Sequence, residues 1–290
     1  MPVLTRRAAM IGAACLGLST RRGVAGTAAD TLAALERADG GRLGVAVLDT
    51  GTGRRLEHRA AERFPLCSTF KMIAAAAILA RADRGEDSLE RRVAYGPGDL
   101  LDYAPVTRER VAEGGMSLAD LCAAAVVWSD NTAANLMLAT LGGPEGLTRF
   151  IRRQDDGITR LDRTEPTLNE AAPGDPRDTT TPAAMLGLLR RLLVGDALAP
   201  ASRERLVGWM IESPTGAGRL RAGLPPGWVV GDKTGTGDNG TANVVALVRR
   251  PGAAPLLAAV YLTGSPASPE ARNALHADIG RLVAATFPAA

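Results

Sequence analysis

The strand-forming stretches of this chain stand near its two ends, and a long helix-forming block separates them. Arg42–Asp49 alternates through Leu43, Val45 and Val47, and the Gly51-Thr52-Gly53 turn leads into a second short strand. Three more strand candidates come late, at Trp228–Thr236, Thr241–Arg249 and Pro255–Thr263. Helical spacing fills the interval: an Ala-rich segment from Ser68 to Gly85, then Ser117–Trp128, Thr132–Leu141, Gly143–Arg153, Pro182–Val194 and Ala201–Ile211. Helices are also predicted at Ala29–Asp39 and from Pro269 to about Phe287. The simplest packing is α+β: one antiparallel five-stranded sheet built from both chain ends and flanked by the terminal helices, packed against an all-helical lobe. The sheet lobe spans about 29–60 and 213–290, the helical lobe about 61–212, and a cleft is expected where they meet.

With 290 residues the chain makes one large domain or two small ones sharing a core. Aromatics are only 3% of it, so the core is aliphatic and platforms for stacking single-stranded bases are not expected. The net charge of +3 misleads, because residues 1–28 hold four arginines (Arg6, Arg7, Arg21, Arg22) and no acid; without them the balance is −1. No nucleic-acid partner follows from that excess. The segment instead reads as an export signal over residues 1–28: a basic start, an apolar run from Ala8 to Leu18 too short to span a bilayer, and a small-residue end. Arg6-Arg7 fits the twin-arginine route, with an ordinary secretory signal as the alternative. Cleavage is expected near Gly26 or Ala28, and the Gly12-Ala13-Ala14 lead-in makes Cys15 a poor lipid anchor. A periplasmic or secreted monomer with no stable membrane partner is the expectation. Cys67 and Cys122 then remain, read as two buried free thiols.

Four short motifs could carry chemistry. Ser68-Thr69-Phe70-Lys71 opens the Ala-rich helix, where positions three apart share a face, so Lys71 is expected to point at Ser68. A serine needs a nearby base to act as a nucleophile, and a helix N-terminus favours the anion that develops there. Ser129-Asp130-Asn131 lies between two helices and by itself makes a capping turn. Lys233-Thr234-Gly235, continuing as Thr236-Gly237, lies on a strand; its lysine can hold an anionic carboxylate, and its glycine lets a substrate lie flat along the backbone. Glu165-Pro166-Thr167-Leu168-Asn169 lies in a loop, Arg160–Thr180, too long to be idle in a compact domain. A carboxylate with an amide four residues later can fix and deprotonate a water.

Each motif is weak alone, but their joint occurrence in this order is strong: Ser-x-x-Lys, Ser-Asp-Asn and Lys-Thr-Gly are the set found in class A β-lactamases and penicillin-binding proteins. The chain resembles the class A enzymes from about residue 30 to 285. Tyr103-Ala104-Pro105-Val106-Thr107 is similar to the family's active-site rim, Ser129–Leu136 to its second motif, and Asp232–Gly235 to the third strand of its sheet. Glu165–Thr180 is similar to its Ω-loop, with Arg163 and Asp178 at the positions the family ties by a salt bridge. The resemblance implies hydrolysis of β-lactam antibiotics through an acyl-serine intermediate, without metal or other cofactor. Ser68 would be the nucleophile, with an oxyanion hole from the backbone N–H groups of Ser68 and Thr236. Lys71 and Glu165 would share proton removal, and Ser129 would pass a proton to the departing ring nitrogen. Glu165 and Asn169 would hold the hydrolytic water. Lys233, Thr234 and Thr236, with Gly235 between them, would bind the substrate carboxylate; Asn131 would meet the acylamide, and Tyr103 would wall the cleft.

The pattern also departs from the family's. Many members carry an arginine two positions past the glycine that follows the Lys-Thr-Gly strand turn; here Gly240 leads to Thr241 and Ala242, and Arg219 fits the place from which some relatives supply that cation. Ala75 and Gly237 stand where two family disulfides would need partners for Cys122 and Cys67, so neither bridge can form, which argues against carbapenem hydrolysis. Thr236 and Gly237 point to cephalosporin turnover, with penicillins as further substrates. A DD-peptidase, or a sensor that stays acylated, would share three motifs but lack Glu165 with Asn169. His58 and His276 offer no metal spacing, and no serine sits in a Gly-x-Ser-x-Gly frame.

Overall fold

The computed structural model describes residues 27–289. The twin-arginine pair, Cys15 and the Gly26 cleavage point lie outside those residues. The chain runs α1 (Ala28–Asp39), β1 (Arg42–Asp49), β2 (Arg55–His58), β3 (Phe64–Pro65), α2 (Phe70–Asp83), β4 (Arg92–Ala94), β5 (Gly115–Ser117), α3 (Leu118–Val127), α4 (Asn131–Leu141) and α5 (Gly143–Arg152). There follow β6 (Thr179–Thr180), α6 (Pro182–Leu193), α7 (Pro200–Glu212), β7 (Val229–Gly237), β8 (Thr241–Arg250), β9 (Ala253–Thr263) and α8 (Pro269–Thr286). The five long strands form one antiparallel sheet in the order β2-β1-β9-β8-β7. The first strands therefore pair with the last, and β7, which carries Lys233, is left at an edge. The fold is α+β, as expected. The short pairs β3–β6 and β4–β5 were not foreseen, because two or three residues carry no readable periodicity.

Both faces of the sheet are buried, and successive residues sort between them. Val244, Ala246 and Val248 join Val45, Val47 and Val260 beneath α1 and α8, with Leu32, Ile279 and Val283. Val245, Leu247, Leu257 and Tyr261 face the helical block. A strand covered on both sides reads as a continuous apolar run, which is why residues 244–248 show no alternation. The helical block is organised around α2, whose residues from Phe70 to Ala80 are all buried. A helix apolar on every side belongs inside a core. Its alanines let α3, α4, α5 and α7 pack against it.

Polar caps fix the helix starts. Thr27 and Asp30 form a capping box for α1, and Ser117, Asp130, Thr181 and Ser268 cap α3, α4, α6 and α8. His276 on α8 is fully buried; Nδ1 lies 2.8 Å from the Arg272 carbonyl, and burial, with the charge of Arg219, pushes its pKa down to about 3. An unfolded histidine takes its proton near the ordinary value of 6.5, so between 6.5 and 3 the unfolded chain binds more protons. Stability is therefore lost as pH falls through that window. His276→Gln should remove this loss, narrowing or reversing the wild-type advantage by a few kcal/mol at most, at about 1.36 kcal/mol per pH unit. Urea titrations at pH 7 and pH 4 measure the difference; parallel pH profiles would refute it.

Candidate active site

Ser68 stands in a tight 3-10 turn, Cys67–Thr69, that runs directly into α2. The turn is held at φ +44° on Cys67, a left-handed value costly for a non-glycine residue. On the sheet side it presses against β7. A Cβ on Gly235 would lie 2.9 Å from the Leu66 carbonyl oxygen, so only glycine fits there. Ser68 Oγ donates to Glu165 Oε1 (3.1 Å). Lys71 Nζ, fully buried, reaches the same carboxylate oxygen at 2.9 Å, the Asn131 Oδ1 at 2.6 Å and the Ser129 carbonyl at 2.8 Å. Lys71 thus meets Ser68 through Glu165, with no direct hydrogen bond among the described residues. Ser68 lies in the 3-10 turn that leads directly into α2, and the two side chains meet at that one oxygen.

Between α3 and α4, Ser129 sits at φ +61°. Its Oγ accepts from Lys233 Nζ (3.0 Å) and from Lys71 Nζ (3.4 Å), so one hydroxyl links the two buried ammonium groups. Asp130 beside it is structural. It caps α4 at Ala133 N (2.8 Å) and accepts from Val106 N, Thr107 N and Thr107 Oγ1, which ties the rim segment to the helix. Tyr103 is half exposed on that rim and donates to the Trp128 carbonyl (3.2 Å).

Glu165 is 2% exposed, far from a loop carboxylate's usual place in solvent. Asn135 on α4 clamps its backbone on both sides: Oδ1 accepts from Glu165 N (3.0 Å) and Nδ2 donates to Glu165 O (2.9 Å). The side-chain oxygen Oε2 accepts from Asn169 Nδ2, while Asn169 Oδ1 is buried without a partner among the described residues. The neck of the loop is closed by Arg163 Nε on Asp178 Oδ2 (2.6 Å), and Asp178 O accepts from Leu66 N (2.8 Å), just before the Ser68 turn. Asn135 had no role assigned from sequence, since a backbone clamp thirty residues away leaves no local signal.

On β7, Lys233 Nζ donates to Ser129 Oγ and to the Thr234 carbonyl (2.9 Å). Burial, then the like charge of Lys71, pushes Lys233 well below the ordinary lysine value. Burial lowers Lys71 too, but Glu165 opposes it. Thr234 Oγ1 lies 2.8 Å from Thr215 Oγ1, a cleft residue the sequence did not flag. Arg219 is largely buried beneath the strand, not a surface charge. It donates to the carbonyls of Gly235 (2.8 Å) and Asn243 (2.6 Å), to Thr236 Oγ1 (2.7 Å) and to Asn273 Oδ1 (3.0 Å). Burial lowers its pKa to about 10, so it stays charged at neutral pH.

The cleft enclosed by these groups has a volume of about 340 Å³ and is lined by Ser68, Tyr103, Ser129, Asn131, Asn169, Thr215, Arg219, Thr234 and Thr236. All twelve residues predicted from sequence gather in or directly beneath it. A larger hollow of about 710 Å³ behind the Ω-loop, between Arg42, Arg63 and Pro176, holds none of them. Cys67 and Cys122 are buried free thiols, and no cluster of three metal-ligating side chains occurs among the described residues. A buried hydroxyl on a carboxylate, beside a second hydroxyl that links two ammonium groups, can carry out nucleophilic acyl transfer with proton relay.

Comparison with known proteins agrees with this geometry. The model of the β-lactamase enzyme family matches residues 27–287. β-Lactamase CTX-M-8 of Citrobacter amalonaticus is 49% identical over 252 residues, covering 87% of this chain and 86% of that protein. β-Lactamase L2 of Stenotrophomonas maltophilia is 46% identical over 283 residues, covering 97% and 91%. Among solved structures, the ancestral GNCA class A β-lactamase superimposes with a TM-score of 0.88 at 60% identity, covering 90% of this chain and all of that one (100%). Family match, identity and shared fold agree, and the chain belongs to the β-lactamase enzyme family as one of its class A serine enzymes.

Proposed function

We propose that this protein hydrolyses the ring amide of β-lactam antibiotics, cephalosporins and penicillins among them, through an ester on Ser68, and so confers resistance. The observation that carries this reading is Glu165 Oε1 within reach of both Ser68 Oγ (3.1 Å) and Lys71 Nζ (2.9 Å). Ser68 Oγ attacks the lactam carbonyl as its proton passes to the Glu165–Lys71 pair. The developing oxyanion is held by the N–H groups of Ser68 and Thr236, the latter on the sheet's outer strand. Ser129 Oγ gives a proton to the departing ring nitrogen and is resupplied by the ammonium groups that touch it. Lys233, Thr234 and Thr236 bind the substrate carboxylate, with Arg219 adding charge from beneath. Asn131 takes the acylamide and Tyr103 walls the cleft.

Hydrolysis of the ester then needs a water beside Glu165. The unpartnered Asn169 Oδ1 supports its place there, since a buried acceptor without a partner is a natural site for a water's hydrogen. One chain supplies every group the reaction calls for, so the reading is of a monomer without cofactor. The two-lobed division belongs to the same proposal: the Ser68 turn and α4 come from the helical lobe, and β7 from the sheet lobe. Residues 1–28 are read as the export signal that carries the enzyme to where the drug arrives. No helix among the described residues is long and apolar enough to cross a membrane. Purified residues 27–290, which keep the Thr27 cap, should hydrolyse a chromogenic cephalosporin; no turnover at micromolar enzyme would remove the proposal.

A further inference from the structure

The turn between β7 and β8 grips the Ω-loop through one side chain. Asn239 and Gly240 both have positive φ (51° and 62°), and Thr241 N donates to the Asp238 carbonyl (3.1 Å), closing a tight hairpin turn. Asn tolerates that backbone better than other residues with side chains. Its carbonyl accepts from Gly264 N (2.7 Å) at the end of β9, which anchors the residue to the sheet. Asn239 Nδ2 then donates to two Ω-loop carbonyls, Glu170 (3.0 Å) and Ala171 (3.2 Å). Ala171 itself stands at φ +48°, a strained value that the bond to its carbonyl helps to hold. Next to it, Asp238 N donates to the Asn169 carbonyl (2.9 Å), and a Cβ on Gly237 would fall 2.7 Å from that same oxygen.

These contacts run from the sheet to the residue whose amide holds Glu165. We propose that Asn239 is a positioning residue for hydrolysis of the acyl-enzyme: its side-chain N–H groups fix residues 170 and 171, directly after Asn169, and so keep the Asn169 amide aligned on the hydrolytic water. This rests on the function proposed above. Formation of the ester depends less on Asn239, because Asn135 on α4 clamps the Glu165 backbone, and the 3-10 turn and α2 hold Ser68 and Lys71, without it. The latch therefore acts on one half-reaction.

Two variants isolate it. Asn239→Gly keeps the left-handed turn and loses only the amide. Asn239→Asp keeps size and turn preference but presents a carboxylate, which cannot donate, to two carbonyls. Stopped-flow and quench measurements with a chromogenic cephalosporin give the acylation and deacylation rates separately, and intact mass spectrometry gives the fraction acylated at steady state. Both variants should deacylate about tenfold more slowly, the effect of displacing aligned groups by a fraction of an ångström, with acylation unchanged within about twofold. The ester should accumulate on Ser68, and Asp should be at least as damaging as Gly. Unchanged deacylation in either folded variant, or an equal fall in both rates, would overturn the proposal. Failure of the parent enzyme to acylate at all would instead refute the underlying function.

Discussion

Glu165→Ala should stop the enzyme as a Ser68-linked ester: a burst of about one product equivalent per enzyme, then turnover slower by about 10²- to 10⁴-fold, the usual worth of a positioned general base. Two functions meet at this carboxylate. Oε1 touches Ser68 and Lys71, and Oε2 takes the hydrogen of Asn169. On the proposed mechanism, removing it deprives the hydrolytic water of its base while leaving Ser68, Ser129 and both lysines in place. Acylation survives because Lys71 changes character. Burial lowers its pKa and Glu165 is the first of the groups opposing that, so removing the carboxylate moves the balance toward the neutral amine. In its neutral form the amine can take the Ser68 proton through a water in the space the carboxylate vacated. Intact mass after mixing with a cephalosporin should show the opened drug on the protein for minutes. Rapid release, with no adduct, would place the activating base elsewhere.

That site was largely legible in sequence because its chemistry is concentrated in short motifs, and its framework because the strands cluster at the two ends. Residues that act through backbone were not. Asn135 and Asn239 hold the Ω-loop by donating to or accepting from peptide groups thirty and about seventy positions away. Nothing local distinguishes them from surface amides, although the Asn239-Gly240 pair does announce a tight turn. Lys71 ends beside Ser68, on the same Glu165 oxygen, but the groups that hold it there were not legible. Helical spacing brings the two residues to one side, whereas the partners of the ammonium, Glu165, Ser129 and Asn131, come from segments far along the chain. Arg219 could be matched to a substrate-facing place, but not its burial under β7, which depends on carbonyls of two strands and on Asn273.

Lys233→Met should weaken catalysis and strengthen the fold together. Lys233 is fully buried, its hydrogen bonds go to a hydroxyl and a carbonyl, and the neighbouring carboxylate of Glu165 is taken by Lys71. An ammonium held this way is costly, as its strongly lowered pKa records. On the proposed mechanism the substrate carboxylate is the missing counter-ion, so part of the cost of folding is returned on binding. Methionine fills nearly the same volume without charge. kcat/KM should fall by about 10²-fold or more, equivalent to ~2.7 kcal/mol, for loss of a desolvated ion pair. Stability at pH 7 should rise by about 1–3 kcal/mol, as when a buried ion gives way to an apolar side chain. The pH dependence fixes the cause. Above the lowered folded pKa and below the ordinary 10.5, the unfolded chain binds the extra proton, so wild-type stability rises with pH across that window. The variant lacks this rise, and its advantage should shrink steadily as pH increases toward 10. Denaturant melts at several pH values, beside steady-state kinetics, test both halves; a variant that loses stability, or one whose gain is the same at every pH, would show that Lys233 is not held at an electrostatic cost.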